Sequence, residues 1–188
     1  MIGTYLIITT SREPSRRSRS FIKDLARVIP NSLKLNRGKA TYEDLARIAI
    51  NKNAYGVLMT LEMKGNPSAL SFWSLNGDSN TLVKRILIQI KSVKLLREIP
   101  SSQQPLNIKF LRVSSPNVGS GLPYETLNAL IEILKPKITA DLEENTVNSV
   151  DLIVGGDSKE ASVLFLCSST GRPCGPQFKV VKVVRYGT

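Results

Sequence analysis

The sequence contains no histidine, and this absence narrows the chemistry open to the protein. Histidine is the commonest general base in enzymes and the usual partner that activates a serine or cysteine nucleophile. It is also a common ligand of protein-bound zinc. The chain therefore cannot form the Ser-His and Cys-His pairs of many hydrolases, and we expect a protein that is not an enzyme and holds no metal or cofactor.

Cysteine is scarce, since the chain has two, Cys167 and Cys174, with six residues between them. This spacing matches neither a zinc knuckle nor a thioredoxin-type pair. A local disulfide would require an oxidising compartment or the cytosol of a thermophile, and the sequence leaves open whether the two ever pair. Because Cys167 ends the apolar run of residues 163–166, we interpret it as a small buried hydrophobic residue.

Long apolar runs are also missing. No segment approaches the roughly 20 apolar residues that a membrane helix needs. Residues 1–8 lack a basic segment before their short apolar run, so they predict a strand and not a signal peptide. The chain has 188 residues, of which 41% are apolar, and this suffices for a sizeable core. We therefore expect a folded cytoplasmic protein with no membrane partner.

Acidic residues are few beside the basic ones. The chain has 26 Lys/Arg against 15 Asp/Glu, a net charge of +11 and a pI near 9.9. Residues 1–40 alone carry nine Lys/Arg and two acids, so they account for +7 of that charge. Four of these cations lie within eight residues, interleaved with serines: Arg12, Arg16, Arg17 and Arg19. An arginine fork can bind two phosphate oxygens at once, so this pattern favours an anionic partner such as nucleic acid.

The order of apolar patterns predicts an α/β fold. A strand at residues 5–9, the basic loop and an amphipathic helix ending at Pro30 come first. A short strand at residues 31–35, a loop with Arg37 and Lys39, a helix capped by Thr41 and strands at 55–62 and 69–75 follow. Both basic segments thus precede a helix, whose N-terminus attracts anions.

The second part of the chain partly repeats this order. For residues 82–99 we favour a strand, and residues 100–105 form the one plausible internal linker. Beyond the linker we expect a strand at 106–113, a helix with Pro123 near its start, and strands at 150–154, 162–167 and 178–184. The sequence therefore predicts two similar α/β halves, at about residues 1–100 and 105–188.

The last strand is basic, while the segment before it is acidic. Residues 141–170 hold six acids and one lysine, whereas residues 171–188 hold four cations and no acid. Lys179, Lys182 and Arg185 alternate with apolar residues, which predicts a cationic edge. The acids, among them Asp141 and Glu144, match no metal-site spacing and predict a solvated stretch.

Aromatic residues are also few, at 6% of the chain. Phe72 and Trp73 are neighbours on a predicted strand, so one of them points to each face of the sheet. We expect one in the core, and the other could stack on an RNA base.

Several strings in this sequence together resemble the signature of the Brix-domain ribosome-biogenesis proteins. They are Thr10-Ser11-Arg12-Glu13-Pro14-Ser15-Arg16-Arg17-Ser18-Arg19, Ile29-Pro30-Asn31-Ser32, Asn36-Arg37-Gly38-Lys39 and Gly175-Pro176-Gln177-Phe178-Lys179-Val180. The resemblance covers nearly the whole chain, with Ser18 where the family commonly has threonine. It implies one Brix domain over residues 1–188, similar to the anticodon-binding domains of some aminoacyl-tRNA synthetases. The near absence of extensions is typical of an archaeal single-domain form.

The resemblance also implies a role in ribosomal subunit assembly through binding of ribosomal RNA precursors, beside other assembly proteins. We expect a monomer in which both basic ends line one groove, with strands 5–9 and 178–184 as near neighbours. The expected phosphate contacts are Arg12, Arg16, Arg17, Arg19, Lys23, Arg37, Lys39, Lys179, Lys182 and Arg185. Two alternatives stay open: a protein-interaction scaffold that makes no RNA contact, and an RNA-processing enzyme that uses the acidic stretch with Mg²⁺.

Overall fold

The computed structural model describes residues 5–76, 79–114, 118–136 and 147–187, and these contain both strands and helices. None of the described helices is long and apolar enough to cross a membrane. In chain order the elements are β1 (Tyr5–Thr10), α1 (Arg16–Val28), β2 (Ser32–Lys34), α2 (Tyr42–Asn51), β3 (Ala54–Met63), β4 (Asn66–Asn76), β5 (Thr81–Lys94), β6 (Phe110–Val113), α3 (Gly121–Leu134), β7 (Ser149–Gly156), β8 (Ala161–Cys167) and β9 (Gln177–Arg185).

Helices α1 and α2 begin at capping residues. Ser15 is extended, and its side chain accepts a hydrogen bond from the N–H of Ser18 at 3.1 Å. Helix α1 ends before Pro30, which disfavours helical backbone in the residue ahead of it. At α2, Thr41 accepts from the N–H of Asp44, and the Asp44 carboxylate accepts from the N–H of Thr41. The predicted cap at Thr41 is therefore confirmed.

The nine strands form one sheet in the order β2-β1-β3-β4-β5-β9-β8-β7-β6. Strand β1 is parallel to β2 and β3, and β3, β4 and β5 then pair antiparallel. Strand β6 is parallel to β7, and β7, β8 and β9 pair antiparallel. Strands β5 and β9 join the two series. The α/β class with two similar halves is confirmed, while the boundary at residues 100–105 stays a prediction.

Apolar side chains pack on both faces of the sheet. On one, which we call the inner face, α1 contributes Phe21 and Leu25 and α3 contributes Leu130 to a large core cluster. On the other, the outer face, α2 packs through Ala49 over Ile7 and a smaller cluster. Burying a side chain such as Phe21 contributes about 1.5–3 kcal/mol, so these two layers fix each helix against its strands.

The predicted strand at residues 106–113 is too long, because β6 begins at Phe110. Asn107 has a φ of 49°, which takes the backbone out of the extended region. Leu106 is 75% exposed, although the alternating pattern had placed it on a buried face. Alternating apolar residues are therefore not sufficient to predict where this strand begins, because the left-handed backbone of Asn107 interrupts it.

Residues 82–99 are a strand for most of their length, as we favoured. Strand β5 runs to Lys94, and a single turn of 3₁₀ helix, Leu96–Glu98, follows it. The N–H of Leu96 donates to the carboxylate of Asp24 in α1 at 2.9 Å. Burial raises the pKa of Asp24, and the hydrogen bond from Leu96 opposes this. The turn is thereby attached to α1.

The two cysteines form a disulfide, with their Cα atoms 5.6 Å apart. The sequence left this pairing open, and the prediction that Cys167 is buried is confirmed. The N–H of Cys167 donates to Arg172 O, and the N–H of Cys174 donates to Phe165 O. These backbone bonds close the turn after β8 and bring the two sulfurs together, which the sequence spacing alone could not show.

Candidate nucleic-acid interface

The N-terminus of α1 already holds an anion from the same chain, the carboxylate of Glu62 in β3. This carboxylate accepts hydrogen bonds from the N–H of Ser15 at 3.0 Å and from the hydroxyl of Ser18 at 2.5 Å. Burial raises the pKa of Glu62, but the hydrogen bonds from Ser18 and Ser15 and the charge of Arg19 outweigh it. The pKa therefore lies below its ordinary value. A phosphate would have to meet side chains around this helix end and not the end itself.

Arg17 is a fixed link between α1 and the end of β5. Its guanidinium forms a two-pronged ion pair with Glu98 and donates to the carbonyl of Val93 at 2.7 Å. Glu98 also accepts from the N–H of Leu95 at 3.0 Å. The hydrogen bond to Glu98 raises the pKa of Arg17, and the same bond lowers the pKa of Glu98. Arg17 thus has a structural role, whatever else it contacts.

The other predicted cations of this region form one exposed surface, which we call the α1 patch. Helical spacing of three or four residues places those within α1 on one side, opposite the buried Phe21 and Leu25. Arg19 donates to the carbonyl of Pro14 at 2.8 Å. None of the patch residues forms an ion pair with a carboxylate of the described residues. The α1 patch consists of Arg12, Arg16, Arg19 and Lys23.

Arg37 and Lys39, in the loop before α2, differ in their surroundings. Arg37 is only 8% exposed, and its guanidinium donates to the carbonyl of Ala40 at 3.1 Å. It also lies over the ring of Tyr42, 4.9 Å from the centroid. Lys39 is exposed. The loops after β1 and β2 follow parallel strands, so Lys39 lies at the same edge of the sheet as Arg12.

Lys179 in β9 shares an acidic partner with a lysine of β5. Both Lys179 and Lys91 form ion pairs with Glu160. Hydrogen bonds from Lys179 and then Lys91 lower the pKa of Glu160. Lys179 alternates with Phe178 and Val180 of the inner core, so it projects from the outer face. One carboxylate thus offsets part of the charge of this lysine pair.

Lys182 and Arg185 lie on opposite faces of β9. Lys182 precedes Val183, which packs against the inner core, so Lys182 projects from the outer face. It is exposed and has no ion-pair partner in the described part of the chain. Arg185 forms an ion pair with Glu132 of α3 and therefore lies on the inner side. The cationic edge predicted for β9 is divided between two surfaces.

The prediction that β1 and β9 are near neighbours in the sheet is wrong, because β3, β4 and β5 lie between them. The two chain ends meet through α1 instead. The ring of Phe21 packs edge-on against that of Phe178, with centroids 5.9 Å apart. The α1 patch and Lys182 thus belong to different faces of the sheet, and no single groove follows from strand adjacency.

Sequence reasoning did not select several cations that the fold places beside the α1 patch. Arg27 continues the exposed side of α1 and donates to Gln104 at 2.6 Å. Arg97 donates to the hydroxyl of Ser20 at 3.4 Å. Lys64 lies at the tip of the β3–β4 hairpin, whose Gly65 lies against Ser15. The helical spacing of Arg27 was a usable signal, but the others come from distant sequence.

The remaining candidates are placed as follows. Asp141 and Glu144 lie outside the described residues, and the described residues contain no group of acids that could hold a metal ion. Asp151 pairs with Arg112 at 2.8 Å. Phe72 is in the inner core as expected, and Trp73 packs against Tyr42 with centroids 4.7 Å apart. Trp73 is thus in contact with α2 and is not a free platform for a base.

Comparison with curated proteins finds archaeal relatives, although no family model matches the chain. A protein of Aeropyrum pernix, described as a probable Brix domain-containing ribosomal biogenesis protein, is 32% identical over 181 residues. The alignment covers 93% of this chain and 94% of the relative. A protein of Thermococcus kodakarensis with the same description is 38% identical over 94 residues, which covers 50% of this chain and 44% of the relative.

Solved structures agree with this result. The crystal structure of a probable ribosomal biogenesis protein from Aeropyrum pernix superposes with a TM-score of 0.78 at 27% identity, covering 96% of this chain and 97% of that one. An archaeal Imp4-like protein gives a TM-score of 0.69 at 22% identity, covering 97% and 100%. The second likeness shows the fold alone.

Proposed function

The chain belongs to the Brix-domain family of ribosomal biogenesis proteins, and we propose that it is a non-enzymatic assembly factor that binds ribosomal RNA precursors. It acts in ribosome biogenesis, as the descriptions of its relatives state for them. In the finer proposal the protein binds the RNA backbone, assists ribosomal RNA processing and subunit assembly, and works as a monomer beside other assembly proteins. Its binding surface is cationic and binds RNA with little dependence on the RNA sequence.

The observation that carries the proposal is the α1 patch. Arg16, Arg19 and Lys23 are exposed on one side of α1, Arg12 is exposed in the loop before it, and none of the four forms an ion pair with a described carboxylate. Such a group of like charges can neutralise RNA phosphates without first giving up an acidic partner in the described chain, and it releases counterions from the RNA. Phosphate contacts of this kind position RNA without reading its sequence.

The other predicted contacts divide by how much rearrangement binding would require. Lys39 and Lys182 are exposed and free of described acidic partners, so they can extend the surface. Lys179 and Arg185 would first have to give up Glu160 and Glu132. Arg17 and Arg37 are held by internal bonds, so their contribution to phosphate binding is the smallest.

Binding of the purified protein to precursor ribosomal RNA fragments over a salt series tests the proposal. The variant is Arg16→Ala/Arg19→Ala, which leaves the structural Arg17 in place. A matched control, Lys109→Ala/Lys159→Ala, removes the same charge from exposed positions in the second half of the chain, outside α1 and the loop before it. We expect the patch variant to bind more weakly, with a salt slope lower by about 1 for each lost phosphate contact.

If the patch variant and the control weaken binding equally, the effect is one of net charge and the patch is not the site. If the patch variant binds like wild type, or no RNA is bound, the scaffold alternative is favoured. Cleavage of the RNA that requires Mg²⁺ and disappears in Asp141→Asn/Glu144→Gln would favour the RNA-processing alternative.

A further inference from the structure

The sheet forks between β4 and β5. The two strands pair from Asn76 and Thr81 as far as Ala69 and Gln89, where the pairing ends. Beyond this point β4 stays with β3, while β5 stays with β9 through two shifts of register around Ile90. Two strand edges that face each other in the fork are thus not paired with each other.

A cleft of 380 Å³ fills this fork. Its walls are apolar at Met63, Pro67 and Ile90, and its cations come from three elements: Arg17, Lys64 and Lys91. Met63 is 66% exposed, so its side chain is accessible to a ligand at the mouth of the cleft. The lining contains no acidic residue. The cleft thus combines an apolar interior with a cationic lining, which suits an apolar group attached to an anion.

The open edge of β5 already binds a planar hydrogen-bonding group in this cleft. The guanidinium of Arg17 donates to the carbonyl of Val93 at the point where β4 has turned away. Its two-pronged pair with Glu98 holds Arg17 at that edge. A second planar group that carries hydrogen-bond donors and acceptors on its edge can therefore form hydrogen bonds with the backbone of β5 in the same way.

We propose that this cleft binds one unpaired nucleotide of RNA, with its base between Met63, Pro67 and Ile90 and its phosphates at Lys64 and Lys91. The inference rests on the proposed RNA binding and adds the class of ligand that the cleft takes. The volume is within the range of small-ligand sites, roughly 300–1,000 Å³. Proteins that recognise RNA in a sequence-dependent way target splayed bases, which they stack and hydrogen-bond along their edges.

A peptide strand added to the fork fits less well. An added strand needs a regular ladder along the edge it joins, and the register shifts of β5 around Ile90 interrupt that ladder. Of the lining cations, Lys64 has no ion-pair partner among the described residues and so favours an anionic ligand, whereas Arg17 and Lys91 are already paired with carboxylates. Lys91 also forms an ion pair with Glu160 on the outer face of the sheet, where Glu160 pairs with Lys179 as well. Arg17 enters the cleft from α1, on the inner face. The cleft therefore connects the two cationic surfaces that strand order keeps apart.

Filling the cleft tests the inference. Ser92 lines the cleft and is exposed on β5, so Ser92→Trp occupies the space without entering the core. Thr81→Trp, exposed at the other end of the same strand, is the matched control. The probes are a short uridine oligonucleotide and an RNA duplex with the same number of phosphates, each at fixed salt. We expect Ser92→Trp to bind the single strand roughly tenfold more weakly and the duplex as wild type does.

Crosslinking of the wild-type protein gives a second reading that does not depend on the folding of a variant. A uridine oligonucleotide carrying 4-thiouridine should crosslink within residues 63–68 or 90–93. Crosslinks confined to other segments, or unchanged single-strand binding by Ser92→Trp, would overturn the cleft while leaving salt-dependent duplex binding and the proposed function intact. Failure of the wild type to bind either RNA would overturn both.

Discussion

Helices α1 and α3 occupy equivalent places in the two halves but present opposite charge. Each follows the first strand of a parallel pair and packs on the inner face of the sheet. The exposed side of α1 carries the cationic α1 patch, whereas the exposed side of α3 carries Glu125 and Glu132. At the N-terminus of α1 the carboxylate of Glu62 accepts hydrogen bonds, whereas Ser120, which precedes α3, makes no side-chain capping bond.

This difference shows that the fold requires the buried apolar side of each helix but leaves the charge of the exposed side free to vary. Both helices bury an apolar side, because a helix must cover the sheet to form the core. The charge on the other side is set independently, since α3 packs in the same way without a cationic surface. The α1 patch is therefore not a product of packing, which is why it is the best candidate for function. Substitutions on the buried sides, in which the two helices are alike, should have larger effects than substitutions at the features in which they differ.

The largest effect is expected where the two helices are alike. Phe21→Ala removes a fully buried ring that packs against Phe178, and we expect a loss of about 3–5 kcal/mol in the free energy of unfolding. Leu130→Ala in α3 should cost about 2–5 kcal/mol for the same reason. Chemical denaturation followed by circular dichroism measures both.

The exposed Tyr124 of α3 provides the control, because Tyr124→Ala should change stability by no more than about 0.5 kcal/mol. If Phe21→Ala were as mild as Tyr124→Ala, α1 would not contribute to the core as α3 does, and the equivalence of the two helices would fail.

A smaller effect is expected at the helix ends, where α1 has Glu62 and α3 has no such partner. Glu62→Gln removes the charge that accepts hydrogen bonds from Ser15 and Ser18, which should cost about 1–2 kcal/mol at neutral pH. The pKa of Glu62 is lowered in the folded protein. Its contribution is therefore complete above the unfolded pKa of about 4.3 and is lost as the pH falls through the lower, folded pKa.

Melting temperatures of wild type and Glu62→Gln across a pH series measure this contribution as a difference, which cancels the other carboxyl groups. The two curves should converge in acid. A difference that stays constant down to the acid limit would mean that the Glu62 charge does not stabilise α1. Glu125→Gln on α3, whose carboxyl is exposed, is the matched control and should change stability at neutral pH by no more than about 0.5 kcal/mol.

The sequence predicted the elements that obey a local rule. The Thr41 cap and the amphipathic side of α1 depend on neighbouring residues, and they were placed correctly. The start of β6 was not, because a left-handed Asn107 carries no distinctive apolar signal.

The contacts of the candidate site were harder to predict from the sequence, because the residues that bond to each other are far apart in the chain. The bond between Arg17 and Glu98 spans 81 residues, and the bonds from Ser15 and Ser18 to Glu62 span 47 and 44. Nothing near Arg17 in the sequence distinguishes it from Arg16 or Arg19. The pattern could therefore locate the cationic segment but could not separate the structural arginine from those left free.

The smallest effect is expected at the ion pairs that tie each helix to the sheet. Arg17 makes a two-pronged pair and a backbone bond, whereas Arg185 and Glu132 form one pair with both side chains about half exposed. Exposed pairs contribute about 0–1 kcal/mol, so Arg185→Ala should barely change stability, and less still at high salt. A double-mutant cycle of Arg185→Ala and Glu132→Ala in denaturant, at low and high salt, measures the coupling directly.

Arg185 is also a proposed RNA contact, and the same variants distinguish the two roles. If Arg185 binds phosphate, Arg185→Ala should lower the salt slope of RNA binding by about 1, and Glu132→Ala should strengthen binding because it releases the arginine. If neither variant changes the slope, the pair is only a tie between α3 and β9. The RNA surface would then exclude the exposed side of α3, and the charge difference between the two helices would mark that boundary.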